Sequence, residues 1–206
     1  MTAILSFLAA LSAASTSHAV AADPECTYDP ETELARDAVS FDQTEGQGWR
    51  PLYDAGCYIE AAGLLRDWRA LHEGEFERSD PRQASLARIL LWHEGQMWAF
   101  AQDNETALPL MQQAYQEEDT IHDRAWNRYV DGTLAFLRRD REALDTATAE
   151  LAAVPQPPGW ASAVGQDGKP ISLPWPQNLD VLQGLARCWD ETYATAYVCR
   201  NIPAVR

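Results

Sequence analysis

The pattern of apolar and polar positions over residues 80–115 predicts two amphipathic helices joined by a short polar turn. Residues 102–104 are polar and separate two apolar series. Apolar steps of three and four, rather than alternation, are typical of a helix with one buried face. Two such helices with a short connection must pack antiparallel to bury their apolar faces. The apolar positions are Leu86, Ile89, Leu90, Trp92, Met97 and Phe100 before the turn, and Ala107, Leu108, Leu110, Met111, Ala114 and Tyr115 after it.

Residues suited to helix capping stand at the start of each helix. Asp80 precedes Pro81, which fits the first helical position, and Gln83 has the spacing of a capping box. Asp103 or Asn104 can cap the second helix in the same way. The capping signals therefore agree with the apolar pattern about where the hairpin begins and turns.

A second helical hairpin is predicted at residues 117–154. Both halves carry apolar residues at helical spacing, and the turn between them ends in Asp140, a capping residue. The predicted fold class is all-α, an antiparallel helix-turn-helix array. Shorter helices are predicted at residues 31–39, 49–55 and 58–71, and a terminal helix at residues 178–189.

Residues 155–177 are predicted to form an irregular segment. They hold six prolines, a density that a helix or a central strand does not tolerate. Trp160, Leu173 and Trp175 are large apolar side chains, so we expect the segment to pack on the helices. The terminal helix and a disulfide-linked tail follow at residues 178–206.

The two hairpins can be overlaid on each other. Gly95 then matches Gly132, and Ala107 matches Ala143 within one residue, at an offset of 36 to 37 residues. A period near 34, with small residues where the helices approach closely, is the tetratricopeptide pattern. Residues 49–154 therefore resemble tetratricopeptide-repeat proteins, with about two to three repeats. The resemblance implies that the first helix of each repeat lines a concave surface where partners bind.

Residues 1–22 have the pattern of a secretory signal peptide. An apolar run at residues 4–14 is followed by small residues with an A-x-A cleavage site, although no Lys or Arg precedes the run. A misassigned start and a membrane anchor are the alternatives. We expect a mature single domain at residues 23–206, located in the bacterial periplasm or secreted. No later stretch approaches the ~20 apolar residues of a membrane span, so stable membrane insertion is not expected after cleavage.

The four cysteines predict two disulfides in an oxidising compartment. Three pairings are possible. On one straight helix Cys188 and Cys199 would lie about 16 Å apart, whereas a disulfide allows about 7 Å between Cα atoms. We favour Cys26–Cys57 and Cys188–Cys199 with a chain turn near residues 190–195, and pairing of the last two cysteines elsewhere is the alternative. The sequence has no CxxC spacing that would favour a metal.

Charge and motif content disfavour several function classes. The net charge of −15 repels nucleic acid and anionic lipid. His93 and Glu94 begin a zinc-protease motif, but Met97 replaces its second histidine, and no GxSxG, P-loop or GxGxxG occurs. His122 beside Asp123 could bind a metal, but a solvated helix face is the favoured interpretation. We therefore predict no catalytic residue, no metal and no cofactor.

The aromatic residues on the first helices are the remaining signal for function. In the overlay Trp92 matches Tyr129 and Ile89 matches Trp126, which suggests an aromatic floor for an extended peptide. Burial of these rings in the core is the competing interpretation, and Trp98, on a different helical face from Trp92, is assigned to the core. A second alternative is that the Pro-rich segment fills the groove of its own chain. The predicted groove residues are Trp92, Gln96, Trp126, Tyr129, His93, Arg88 and Arg128.

These observations predict a non-catalytic periplasmic module that binds or scaffolds a protein or peptide of the cell envelope. The alternative is an exported enzyme or small-ligand-binding protein with a site under the Pro-rich segment. In that case His93 and Glu94 should converge on one pocket. The tetratricopeptide resemblance favours the first hypothesis, because it implies a binding surface and supplies no activity.

Overall fold

The computed structural model describes residues 26–77, 79–160 and 173–201. All regular elements in these ranges are helical, which confirms the all-α prediction. The predicted signal peptide and the middle of the Pro-rich segment lie outside the described residues. The α-helices are α1 (Pro30–Leu34), α2 (Arg50–Asp54), α3 (Tyr58–His72), α4 (Pro81–Phe100), α5 (Asn104–Gln112), α6 (Ile121–Leu137), α7 (Arg141–Ala152), α8 (Leu179–Arg187) and α9 (Tyr193–Val198).

Short helical turns complete the secondary structure. A π-helical turn spans Val39–Gln43, and 3₁₀ turns span Glu73–Glu75 and Cys199–Asn201. The helix predicted at residues 31–39 is therefore two pieces, α1 and the π-turn. No helix in the described residues has the length and hydropathy to cross a membrane.

Most of the predicted caps are present. The carboxylate of Asp80 accepts hydrogen bonds from the backbone N–H groups of Arg82 and Gln83, and Asp103 and Asp140 cap α5 and α7 in the same way. The Gln83 side chain accepts instead from the backbone N–H of Glu77, so no capping box forms there. The backbone N–H of Asp80, which a capping box would direct to Gln83, donates to the Glu77 carbonyl at 3.0 Å.

Helix α6 begins later than the sequence pattern predicted. Thr120 and Asp123 form a reciprocal capping box, which places the first helical residue at Ile121. Residues 117–119, predicted as helical, lie in the preceding turn. Two backbone N–H groups satisfied by this box outweigh the helix propensity of the residues before it.

Three helix pairs turn through the same backbone geometry. They are α2–α3, α4–α5 and α6–α7, and in each the residue before the capping position is left-handed: Gly56 (φ 79°), Gln102 (φ 67°) and Arg139 (φ 59°). The next N–H group bonds the carbonyl five residues back, at 2.8 to 2.9 Å in all three turns. Such a left-handed residue ends a helix and reverses the chain, so each pair becomes an antiparallel hairpin.

The two later hairpins match at a constant offset of 37 residues. Asp103 corresponds to Asp140, and buried Ala107 corresponds to buried Leu144 rather than to exposed Ala143. The sequence overlay was therefore one residue out after the turn. Leucine and alanine fill the same position because the two hairpins face different neighbours.

Gly95 of α4 and Gly132 of α6 show that the two hairpins face different neighbours. A Cβ on Gly95 would lie 2.7 Å from Met111 Cγ and 3.1 Å from the Ala107 carbonyl oxygen of α5. A Cβ on Gly132 would instead meet the side chain of Leu182 in α8, at 2.6 Å. Gly95 thus permits close packing within a hairpin, whereas Gly132 permits packing of the next helix.

Helices α8 and α9 continue the array. Helix α8 packs against α6 and α7, and α9 crosses the C-terminal ends of α4 and α6. Tyr193 of α9 makes ring contacts with Phe100 of α4 at 5.1 Å and with Phe136 of α6 at 6.1 Å. The core therefore runs from the α2–α3 pair to α9 without a break.

Both favoured disulfide pairings are confirmed. Cys26 and Cys57 have Cα atoms 5.5 Å apart, and Cys188 and Cys199 have Cα atoms 6.4 Å apart. The chain turns after α8, which brings the last pair together as the spacing argument required. One disulfide attaches the N-terminal segment to the start of α3, and the other closes the α8–α9 unit.

We expect the substitution Gly95→Ala to lower the free energy of unfolding by about 1 kcal/mol. Overpacking a close helix contact costs about 1–3 kcal/mol, whereas alanine gains about 1 kcal/mol in helix propensity. Gly63→Ala in α3 is the matched control, because nothing lies within 4 Å of its Cβ position. Urea denaturation should show the control equal to or more stable than the wild type, and a stabilised Gly95→Ala protein would contradict the packing described.

Removal of the disulfides should cost unequal amounts of stability. The Cys26–Cys57 bond closes a sequence separation of 31 and the Cys188–Cys199 bond one of 11. Loop entropy then predicts losses of about 4 and about 3 kcal/mol for the two double Cys→Ala variants. Denaturant midpoints measured without reductant test the order, and a larger loss for the C-terminal pair would be against expectation.

Candidate functional site

Helices α4 and α6 lie side by side and present one common surface, which we call the shared face. It is formed by Ser85, Ile89, Trp92 and Gln96 of α4, and by His122, Trp126 and Tyr129 of α6. These positions repeat at helical spacing on each helix. The rings of Trp92 and Trp126 meet edge to face at 5.2 Å, and Trp92 lies 5.0 Å from Tyr129. Trp92, Trp126 and Tyr129, which the sequence pattern singled out, therefore form one aromatic cluster.

The C-terminal half of the shared face is closed. Trp92 and Tyr129 are each 2% exposed and Gln96 is 7% exposed. The Gln96 amide donates a hydrogen bond of 3.2 Å to the Tyr193 hydroxyl of α9, and Tyr193 also hydrogen-bonds Tyr129. The prediction that Trp92, Gln96 and Tyr129 line an open groove is therefore wrong, because all three are buried and Tyr193 of α9 bonds Gln96 and Tyr129.

Trp92 departs from its predicted role, and Trp98 does not. Trp92, assigned to the groove, is in the core, and Trp98, assigned to the core, is half-buried and packs against it. The competing interpretation of Trp92 as a core ring was the better one. The Trp92 ring packs on Trp126 and Tyr129 of α6. Burial raises the pKa of the Tyr193 phenol, which stays protonated as a hydrogen-bonding group.

The N-terminal half of the shared face is open, and we call it the open groove. Its floor is Ile89, Leu86 and Trp126, all half-buried. Two adjoining cavities of about 320 and 190 Å³ lie along it, and both are lined by Ser85, Gln116 and Trp126. Of the predicted groove residues, Trp126 is the one whose side chain lines these cavities.

The Trp126 ring is held in one orientation. Its indole N–H donates a hydrogen bond of 2.7 Å to the Ala114 carbonyl at the end of the first hairpin. Trp92 and Tyr129 support the ring from below with edge contacts. A ring positioned by its neighbours loses little entropy when a ligand packs on it.

The two described ends of the Pro-rich segment border the open groove. Trp160 and Trp175 each lie 5.3 Å from the His122 ring and 4.8 Å from each other. Their indole N–H groups donate to the carbonyls of Leu173 and Val154. The prediction that these tryptophans pack on the helical body is confirmed, and His122 takes part in ring packing beside the groove.

His93 is engaged with a residue that the sequence did not indicate. Its Nδ1 lies 2.6 Å from a carboxylate oxygen of Asp42 in the π-turn, and the Trp49 indole donates to the same oxygen at 3.0 Å. Asp42 is fully buried. Burial alone would raise the pKa of Asp42, but the hydrogen bonds and charge of His93, with the Trp49 donor, lower it below its usual value.

Glu94 points to a different side of α4. Its carboxylate pairs with Arg69 of α3 and is 3% exposed. Desolvation raises the pKa of Glu94 above its ordinary value, and the opposing effect of Arg69 does not cancel this. His93 and Glu94 do not converge on one pocket, so the arrangement that the alternative enzyme hypothesis required is not present in this pair.

The two predicted groove arginines lie outside the shared face. Arg128 forms ion pairs with Asp131 at 2.8 Å, Glu150 at 3.0 Å and Glu118 at 3.4 Å. Arg88 lines a cavity on the opposite side of α4. Their assignment to the groove is wrong. Arg88 is one position from Ile89 and Arg128 is two positions from Trp126, so the rotation of the helix directs both side chains away from the groove.

Sequence reasoning missed Asp42, Gln43 and Gln116. Gln43 and Gln116 line the wider cavity of the open groove, and Asp42 anchors the π-turn beside it. All three lie outside the predicted helices, where side-chain periodicity carries no information. Cys26, Cys57 and Glu60 are close enough for a metal, but the two sulfur atoms form a disulfide and cannot act as thiolate ligands.

Asp42→Asn should lower the free energy of unfolding by about 2–3 kcal/mol at pH 7, because a buried hydrogen bond to a charged group is lost. The folded-state pKa of Asp42 is depressed, so its contribution is complete above the unfolded value of about 4 and is lost as the pH falls through the folded pKa. The gap between wild type and variant should therefore narrow below pH 4. Asp54→Asn, at an exposed site, is the control and should stay within about 0.5 kcal/mol.

Comparisons with known proteins supply no relative. No protein-family model, no curated protein and no solved structure matches the chain. The resemblance to tetratricopeptide-repeat proteins therefore stays a prediction from the sequence.

Proposed function

We propose that this chain is a non-catalytic module of the cell envelope that holds an extended segment of another protein in the open groove. The observation that carries the proposal is the way in which the shared face is already used. Its closed half holds a polypeptide element, α9, through the hydrogen bond from the Gln96 amide to the Tyr193 hydroxyl, and the Tyr193 ring packs on Phe100 in the next turn of α4. The open half continues the same surface with the same kinds of side chain.

The lining of the open groove suits an extended peptide. Ile89, Leu86 and Trp126 offer a half-buried apolar floor, and burial of such side chains drives association. Gln43, Ser85 and Gln116 stand along it with amide and hydroxyl groups. Such groups can both donate to and accept from the backbone of a bound segment, so the groove can recognise a polypeptide without a fixed charge.

The ionisable pair that the sequence put forward for catalysis supports a non-catalytic role. His93 is bound by Asp42, and Glu94 is paired with Arg69. A general base needs a proton-accepting atom within reach of a substrate, and both side chains direct a functional atom into the protein. Among the ionisable residues that line the groove cavities, His122 packs against the rings of Trp160 and Trp175.

The repeated turn geometry supports a tetratricopeptide-like origin. Three hairpins turn through the same left-handed position, and two of them are related by a constant offset of 37 residues. Repeat proteins of helical hairpins use extended surfaces for protein partners. The two disulfides and the net charge of −15 are compatible with an exported protein that does not bind nucleic acid.

Selection of peptides from a random phage-displayed library on immobilised residues 23–206 tests the proposal. We expect enriched peptides to carry apolar residues and to bind the purified protein in solution, measured by fluorescence anisotropy. Ile89→Arg places a charge on the groove floor and should weaken binding at least tenfold, or about 1.4 kcal/mol. Enrichment of no peptide above background would oppose the proposal.

The matched control is Ile59→Arg. Ile59 lies on α3, is 59% exposed and lines neither groove cavity. Its substitution should leave peptide affinity unchanged, and circular dichroism should show both variants folded. Equal affinity of the selected peptides for the Ile89→Arg variant and the wild type would place binding elsewhere and refute the groove.

A further inference from the structure

A separate and larger cavity lies on the other side of α4. It has a volume of about 630 Å³ and is enclosed by α3, α4 and residues 113–117. Three of its lining residues are Arg66, Arg69 and Arg88, and we call it the arginine cavity. No residue that lines the arginine cavity also lines the open groove, so ligand binding in this cavity does not depend on the proposed function.

The three arginines differ in how far they are already paired. Arg69 is bound to buried Glu94, and Arg66 pairs with its neighbour Asp67 at 2.9 Å. Arg88 makes no ion pair or hydrogen bond that the described residues show. Its Nε atom is buried and has no hydrogen-bond acceptor there. The guanidinium of Arg88 therefore has no acceptor among the described residues, and because Arg88 lines the cavity, a ligand there can supply one.

The walls around Arg88 include several apolar side chains among the charged ones. Phe76 and Leu91 are half-buried, and Leu90 is fully buried at the base. Tyr115 also lines the cavity, and its hydroxyl donates to Asp131 at 2.6 Å, which leaves the ring as the surface that it offers. A ligand that fills this space would bury apolar surface while it meets the guanidinium.

The charge around the cavity disfavours a ligand with more than one negative charge. Glu117 is exposed and lines the cavity. It would repel a second negative charge on the ligand, and the net charge of −15 acts in the same direction. A phosphate dianion or a polyanion is therefore disfavoured relative to a monoanion.

We propose that the arginine cavity binds a small organic monocarboxylate with an apolar body, and that Arg88 holds the carboxylate. The guanidinium fork matches the two oxygens of a carboxylate, and a charge-assisted pair of this kind is stronger than a neutral hydrogen bond. The apolar body lies against Phe76, Leu91 and the Tyr115 ring. The cavity volume is within the range of small-molecule sites, about 300–1,000 Å³.

Calorimetric titration of residues 23–206 with sodium decanoate, below its micelle concentration, tests this site. We expect saturable binding, and affinity at least tenfold above that for butyrate, which has the same charge and a shorter body. 1-Decanol, which lacks the charge, should bind at least tenfold more weakly than decanoate. Inorganic phosphate should bind more weakly still, and phosphate as tight as decanoate would overturn the monocarboxylate assignment.

Arg88→Gln is the decisive variant. The substitution removes a guanidinium that has no hydrogen-bond or ion-pair partner among the described residues, so we expect the variant to fold. It should weaken decanoate binding at least tenfold. Arg82→Gln, on the exposed surface of the same helix and outside this cavity, should leave decanoate affinity unchanged. The proposal fails if decanoate does not bind, if it binds the Arg88→Gln variant as tightly as the wild type, or if Arg82→Gln has the larger effect.

Discussion

Helix α4 contacts a different part of the protein on each of its sides, and the rest of the structure is arranged around that constraint. Successive helical residues are rotated by about 100°, so four neighbours point in four directions. Trp92 packs on α6, His93 binds the π-turn, Glu94 pairs with α3, and Gly95 lets α5 approach closely. One turn of helix therefore attaches four elements, and little of it remains free for ligands.

The two buried carboxylates beside α4 show how differently the same group can be used. Asp42 accepts from His93, Trp49 and Gln43, and His93 and Trp49 lower its pKa despite complete burial. Glu94 has one strong partner, Arg69, and desolvation prevails, so its pKa is raised. Both carboxylates connect α4 to its neighbours, so their hydrogen bonds and charges stabilise the fold rather than contact a substrate.

What remains accessible is the N-terminal half of α4, and it is accessible on two sides. On the shared face Tyr193 of α9 bonds Gln96 in the C-terminal half, and the half around Ile89 stays open, with an apolar floor and amide and hydroxyl groups along it. On the opposite side, α3 and the end of the first hairpin diverge from α4 and leave the arginine cavity. The open groove suits a polypeptide because amide and hydroxyl groups can bond an uncharged backbone. The arginine cavity suits a small anion because Arg88 has no acceptor among the described residues.

The sequence alone determined the caps at Asp80, Asp103 and Asp140 and most of the helices, and it favoured the cysteine pairing that the structure shows. These follow from interactions between residues close in the chain, or from distances that helix geometry sets directly. The apolar pattern also identified the surface of α4 and α6 that matters, because periodicity shows which residues share a face. It could not show what covers that face.

Tertiary structure decided which half of the shared face stays open. Trp92 and Ile89 have equivalent sequence patterns, but Trp92 is buried whereas Ile89 is half-buried and lines a cavity. The sequence also did not reveal the partners of Asp42 and Glu94, since His93 and Arg69 lie 51 and 25 positions away from them in the chain. Burial depends on contacts between distant segments, and a linear pattern records only that a side chain prefers to be covered, not which segment covers it.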